Sequence, residues 1–107
     1  MLNFDTLLQT LREDLTSLAL DFGEGLIDDL VDAGCNMAEN TREDLLRWSE
    51  QLAGGELSEE DFRFLLESRK DLLELEALKQ KGLAQADLDR LKNAVVDTII
   101  GSVRKAL

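Results

Sequence analysis

The stretch Gly54-Gly55-Glu56-Leu57-Ser58 lies near the midpoint of the 107-residue chain and separates two leucine-rich segments. Adjacent glycines are poor helix formers and accept positive φ, so Gly54-Gly55 predicts the end of a helix. Ser58 and Asp61 match an S-x-x-D capping box at the start of the next helix. Leu57 and Phe62 have the spacing of a hydrophobic staple. The stretch therefore predicts a turn between two helical arms.

The composition favours an all-α fold. The chain has 23 leucines and no proline, tyrosine or histidine, and its other common residues are Glu, Asp, Arg and Ala. These are strong helix formers or frequent residues of helix surfaces. We expect residues 1–107 to form one all-helical domain, a long helical hairpin. Arm one spans about 4–53, the turn spans 54–58, and arm two spans about 59–81 and 85–106, split at Gly82.

Arm one carries an apolar stripe with alternating steps of four and three, which is typical of an amphipathic helix. Its first members are Phe4, Leu8, Leu11, Leu15, Leu18 and Phe22.

Two features oppose a continuous helix in arm one. Gly23, Gly25 and Gly34 each cost about 1 kcal/mol relative to alanine in a helix interior. Thr41-x-x-Asp44 also matches a new capping box. In favour of continuity, unbroken helical phase would place most of the acids on one narrow face. We therefore predict one long helix, whose glycines permit a kink near Gly23–Gly25 and whose Gly23 and Gly34 let a neighbouring helix approach.

The net charge of −11 is concentrated in the first half of the chain. Residues 1–53 contain 12 acidic and 3 basic residues, whereas residues 54–107 contain 11 and 9. Such a surface repels phosphate groups, so no nucleic-acid binding is expected. The acidic surface either keeps the protein soluble or provides a site for a basic protein partner or a cation. The candidate acidic partner surface consists of Asp14, Asp21, Asp28, Asp32 and Glu39.

The residue types argue against an enzyme. Without histidine there is no imidazole base, and one cysteine without histidine provides no zinc site, so we predict no catalytic, cofactor-binding or metal-binding residues. Cys35 lies at helical spacing from Asp32 and Glu39, whose charges disfavour its thiolate, and we expect an unreactive thiol. A single cysteine, no secretory pattern and no long apolar run predict a cytoplasmic protein without membrane insertion.

Arm two predicts self-association. Its terminal helix, at about 85–106, carries a second apolar stripe that a thin hairpin cannot cover. These residues, Val96, Ile100, Val103 and Leu107, form the candidate oligomer interface. Pairing two hairpins into a four-helix-bundle-like homodimer would bury them. Phe62 and Phe64 lie on different helix faces, so we also expect Phe64 to contact a partner chain.

Residues 75–92 resemble the short C-terminal (SHOCT) helical-hairpin module. The resemblance rests on Leu75-x-x-Leu78-Lys79-x-x-Gly82-Leu83 followed by Asp87-Leu88 and Lys92. Ala84 stands where that pattern has a capping hydroxyl, and Leu88 where it has an aromatic residue. The resemblance implies an interaction or oligomerisation element without an enzymatic activity.

The leading functional hypothesis is a non-enzymatic helical module for oligomerisation or protein–protein interaction. The alternative is an acidic decoy or inhibitor that binds a cationic groove on a partner protein. The two differ in their expected salt dependence, because binding by charge weakens steeply as salt is added.

Overall fold

The computed structural model of the chain describes residues 3–69 and 82–107, which contain five α-helices and no strand. The helices are α1 (Phe4–Phe22), α2 (Ile27–Asn40), α3 (Arg42–Ala53), α4 (Glu59–Glu67) and α5 (Gln85–Ala106). A short 3₁₀ turn, Glu24–Leu26, joins α1 to α2. The all-α prediction is confirmed. The part of predicted arm two at residues 70–81 lies outside the described residues.

The prediction of one long first helix is wrong, because the chain reverses direction after α1. Gly23 ends α1 with φ of +148°, a conformation that is costly for any residue with a Cβ. α2 then returns along α1, so that Gly34 lies against Leu15 and the Arg42 guanidinium lies 4.7 Å from the centre of the Phe4 ring. The longest dimension of the fold is 43 Å, whereas a straight 50-residue helix would reach about 75 Å.

A second break separates α2 from α3 at Thr41, where Thr41-x-x-Asp44 matches the pattern of a new capping box. The Thr41 side chain does not cap α3. Its hydroxyl instead donates backwards to the Met37 carbonyl at 2.8 Å, and the Thr41 N–H donates to the same carbonyl at 3.1 Å. Thr41 therefore satisfies the C-terminus of α2, and a new helix starts directly after it.

The turn after α3 has the predicted construction. Gly55 has φ of +80°, the Gly55 N–H donates to the Leu52 carbonyl, and the Glu56 N–H donates to the Gln51 carbonyl. This pair of bonds is a Schellman motif, which satisfies the last carbonyls of α3. Ser58 then caps α4, because its Oγ accepts from the Asp61 N–H at 3.0 Å. Both the predicted helix end and the predicted cap are confirmed.

α5 also begins and ends where the sequence predicted. Gly82 has φ of +88°, and Ala84 occupies the N-cap position without a side-chain hydrogen bond. α5 runs antiparallel to α1, as the pair Asp14–Ser102 near one end and the contact of Arg90 with the Phe22 ring near the other indicate. α4 packs on α5 as well, joined by Glu59–Arg104 and Arg63–Asp97.

All five helices contribute to one apolar core. α1 packs most extensively, with α2 along one side and α5 along another. Its buried face is centred slightly beside the predicted stripe, because Leu7 and Ala19 are fully buried while Leu8 and Leu18 are only partly buried. Within residues 3–69 and 82–107, no helix combines the length and the hydrophobicity needed to cross a membrane.

Candidate protein-binding surface

The predicted oligomer interface lies mostly inside the chain. Val96 and Val103 are fully buried and Ile100 is 3% exposed, all within the common core. A thin hairpin would have left these residues in water, but five helices folded together cover them without a second chain. The surface argument for a homodimer is therefore wrong for these three residues. Leu107 remains 51% exposed at the end of the chain described here.

The predicted acidic surface is divided by the chain reversal. The Asp14 carboxylate belongs to a contact between α1 and α5, where it accepts from Ser102 Oγ at 2.8 Å and from Lys105 Nζ at 3.0 Å. Asp21 is exposed near the end of α1. Asp28, Asp32 and Glu39 are exposed and stay together, because they lie at helical spacing along α2.

The pKa of the Cys35 thiol is raised, as the sequence predicted, but the main cause is different. The side chain is only 8% exposed, and this burial raises the pKa of the Cys35 thiol. Arg12, across the interface with α1, lowers the pKa, while Glu39 and Asp32 raise it further. The sequence had identified the two carboxylates, but the larger contribution of burial depends on the packing of α2.

An unpredicted group of side chains lies on the outer surface of α4. Glu60, Asp61, Phe64 and Glu67 are all exposed, and their spacing places them on one side of the helix. We call these four residues the α4 outer face. Phe64 at its centre is 70% exposed, the highest fraction among the large apolar side chains that the structure describes. The prediction that Phe62 and Phe64 point to different faces is confirmed, because Phe62 is fully buried.

The opposite side of α4 is held firmly. The Phe62 ring meets the Trp48 ring edge-on, with 6.3 Å between the ring centres, and Leu66 is fully buried. Arg63 hydrogen-bonds and forms an ion pair with Asp97 of α5, an arrangement that raises the pKa of the guanidinium. These contacts fix the direction in which Phe64 points.

Two further ion pairs anchor the ends of the segment that contains α4. Arg104 lies 3.1 Å from Glu59, and Arg69 lies 2.8 Å from Asp44 of α3. Together with Arg63, these arginines are engaged by carboxylates outside the α4 outer face. Within the described residues, Glu60, Asp61 and Glu67 form no ion pair, so the face around Phe64 is locally anionic.

Two of the shallow depressions on the described surface lie beside charged residues. One, of about 340 Å³, is bordered by Arg63 and the α4 outer face. The other, of about 350 Å³, lies at the junction of α2 and α3 and is lined by residues 39–44. No cluster of three or more Asp, Glu or Cys side chains that could hold a metal ion occurs within the two described ranges.

Comparison with known proteins gives no relative: no family model, curated protein or solved structure matches the chain. The resemblance of residues 75–92 to the SHOCT module thus has no support from a family match. Three of the residues that carry it, Leu75, Leu78 and Lys79, also lie outside the described part of the chain.

Proposed function

We propose that this chain is a non-enzymatic helical module for protein–protein interaction, with the α4 outer face as its contact surface. The observation that carries the proposal is the 70% exposure of Phe64 at the centre of that face. Burying a phenylalanine side chain contributes about 1.5–3 kcal/mol, and one aromatic anchor often supplies much of the binding energy of a protein interface.

The rigid support of α4 favours the same function. Phe62 and Leu66 are buried, and ion pairs of Glu59 and Arg63 attach α4 to α5. The backbone of α4 is therefore held in place, and Phe64 lies on its open side, before any partner arrives. Such preorganisation lowers the entropy lost on binding.

Affinity capture from the cells that make the protein tests the proposal. The bait is the unaltered chain, compared with Phe64→Gln and with Leu20→Gln as a matched control, since Leu20 is also exposed but lies on α1. We expect a partner that the unaltered chain and Leu20→Gln retain equally and that Phe64→Gln retains at least about tenfold less. Equal capture by all three baits would show that Phe64 anchors nothing.

A second candidate function is an acidic decoy for a cationic groove, carried by the exposed Asp28, Asp32 and Glu39 of α2. This function predicts that Asp28→Asn, Asp32→Asn and Glu39→Gln together abolish capture, whereas Phe64→Gln does not. Capture should also weaken steeply between low and high salt, because exposed charges are screened.

The predicted homodimer is a separate proposal that does not depend on the α4 outer face. Light scattering at micromolar concentration distinguishes the expected homodimer from a monomer. Because Ile100 and Val103 are buried, replacing both by aspartate should unfold the chain. Leu107→Gln is therefore the suitable variant for testing an interface at the exposed end of α5.

A further inference from the structure

We infer that the α4 outer face binds a basic protein segment, one that offers an apolar site for Phe64 surrounded by lysine or arginine side chains. The inference rests on the proposed function and specifies the chemistry of the partner. It depends on how charge is arranged around Phe64.

Three carboxylates surround the aromatic ring. Glu60 and Asp61 precede Phe64 by four and three positions, and Glu67 follows it by three, so all are its neighbours on the helix surface. A partner that buries Phe64 also removes water from these carboxylates. Removing water from a carboxylate is costly unless a cation or several hydrogen-bond donors replace it. The partner must therefore bring positive charge.

The arginines near the α4 outer face already form ion pairs with other carboxylates of the chain. Arg63 is held by Asp97, Arg69 by Asp44 and Arg104 by Glu59. Turning any of them towards the α4 outer face would break an existing ion pair. Arg63 borders the same depression and interacts electrostatically with Glu67, so among the described residues it offsets one of the three negative charges and leaves a net negative charge for an external cation.

A second copy of the chain is a poor occupant of the same face. Twofold pairing through Phe64 would bring six carboxylates into one interface between molecules that each carry a net charge of −11. Like charges placed together in an interface cost several kcal/mol and suppress the wrong pairing. A basic partner reverses this effect and gains faster association through electrostatic steering.

The size of the face predicts a modest affinity. α4 has nine residues, and only one side of it is open. Interfaces below about 1,200 Å² are typical of transient complexes. We therefore expect an exchanging complex whose affinity falls as salt increases.

A direct test uses a fluorescent synthetic helical peptide with leucine on one side and lysine on the other, measured by fluorescence anisotropy. Two peptides of equal length are the controls, one with every lysine replaced by glutamate and one with every leucine replaced by glutamine. We expect the basic amphipathic peptide to bind and both controls to bind at least about tenfold more weakly. Binding should weaken as salt is raised.

Variants of the protein then locate the binding. Phe64→Gln, and separately the triple change Glu60→Gln, Asp61→Asn and Glu67→Gln, should each weaken binding of the basic peptide at least about tenfold. The matched charge control, Asp28→Asn, Asp32→Asn and Glu39→Gln on α2, should have little effect. If the α2 control weakens binding as much as the α4 triple change, charge alone is responsible and the inference is wrong.

The natural partner gives the decisive result. A photo-crosslinking phenylalanine analogue at position 64, with the same analogue at position 20 as control, would be used in the cells that make the protein. Crosslinking at position 64 to a lysine- or arginine-rich segment supports the inference. Crosslinking to a neutral or acidic segment, or to a second copy, overturns it and leaves the proposed interaction at α4 intact. If no crosslink forms at position 64 and the Phe64→Gln bait retains partners as well as the unaltered chain does, both the inference and the proposed function are wrong.

Discussion

Gly34 of α2 lies directly against Leu15 of α1, so closely that a Cβ on Gly34 would come within 2.4 Å of Leu15 Cδ1. Leu15 is fully buried and has little room to move. The missing side chain thus sets the distance between the two helices. The prediction that a missing side chain permits close helix approach is confirmed for Gly34, whose neighbour is α1. It is wrong for Gly23, where a Cβ would meet no atom within 4 Å.

Gly34→Ala should destabilise the fold even though alanine is the better helix former. The substitution gains about 1 kcal/mol of helix propensity and loses about 1–3 kcal/mol through overpacking against Leu15. Gly101→Ala is the matched control, because Gly101 lies inside α5 with open space around its Cα. We expect Gly101→Ala to stabilise the fold by up to about 1 kcal/mol in urea unfolding. If Gly34→Ala stabilised the fold as Gly101→Ala does, the close contact between Gly34 and Leu15 would be contradicted.

Gly23→Ala and Gly25→Ala test the chain reversal after α1. Gly23 has φ of +148°, so alanine there should cost about 1–3 kcal/mol. Gly25 has no positive φ and open space at its Cβ position, so alanine there should change stability by less than about 0.5 kcal/mol. In one continuous helix, both substitutions would stabilise the chain. Thermal unfolding followed by circular dichroism separates the two structures.

Ser102 and Ser49 are both fully buried helix residues, but only one of the two hydroxyls has a partner. Ser102 Oγ donates to Asp14, whereas Ser49 Oγ has no partner within the described residues. Ser102→Ala should cost about 1–2 kcal/mol, because a partly buried carboxylate loses a donor. Ser49→Ala should be neutral or stabilising by up to about 1 kcal/mol. Urea unfolding of both variants checks the contrast, since the propensity change is the same in each.

Two substitutions at the central turn should differ severalfold in cost. Ser58→Ala removes the cap of α4 and should cost about 1 kcal/mol. Phe62→Ala empties a fully buried site beside Trp48 and should cost about 3–5 kcal/mol. Because Trp48 is the only tryptophan, its fluorescence reports on this region in urea titrations. Equal and negligible effects would show that the turn does not hold α3 and α4 together.

Cys35 should react slowly with thiol reagents near neutral pH. Its pKa is raised by burial, so the thiolate is scarce, and labelling should be at least about tenfold slower than in the unfolded chain. The unfolded chain loses this proton first, so the stability linked to Cys35 is complete below about pH 8.5 and is lost as pH rises through the folded pKa. Cys35→Ala should remove this part of the pH dependence. Fast labelling at pH 7 would contradict the assignment.

The parts of the fold that could be predicted from sequence are those with local causes. Gly55 and Ser58 set helix ends through their own backbone conformations and hydrogen bonds, and both ends of α5 were predicted correctly. The reversal at Gly23 has a tertiary cause. α2 buries Val31, Cys35 and Ala38 as well as Leu30 and Met37, and covering so broad an apolar surface requires neighbours on several sides.

In the candidate site, too, features with local causes could be predicted from sequence and features with tertiary causes could not. The outward direction of Phe64 follows from helical spacing, and that spacing also identifies Glu60, Asp61 and Glu67 as its neighbours. The use of Asp14 inside the fold could not be predicted, because its hydrogen-bond partner Ser102 is 88 positions away. Val96, Ile100 and Val103 were recognised as apolar, but which chain covers them depends on the number of helices packed around α5.

The antiparallel contact between α1 and α5 also has a consequence for the order of folding during synthesis. α1 and α2 are close in sequence and can pair as soon as both have left the ribosome, since local contacts form fastest. α5 is made after the other four described helices, so the surfaces that it covers on α1 and α4 stay open until then. We therefore expect pulse-labelling hydrogen exchange during refolding to protect α1 and α2 before α5. In the cell, the growing chain would present unprotected leucines to chaperones until α5 docks.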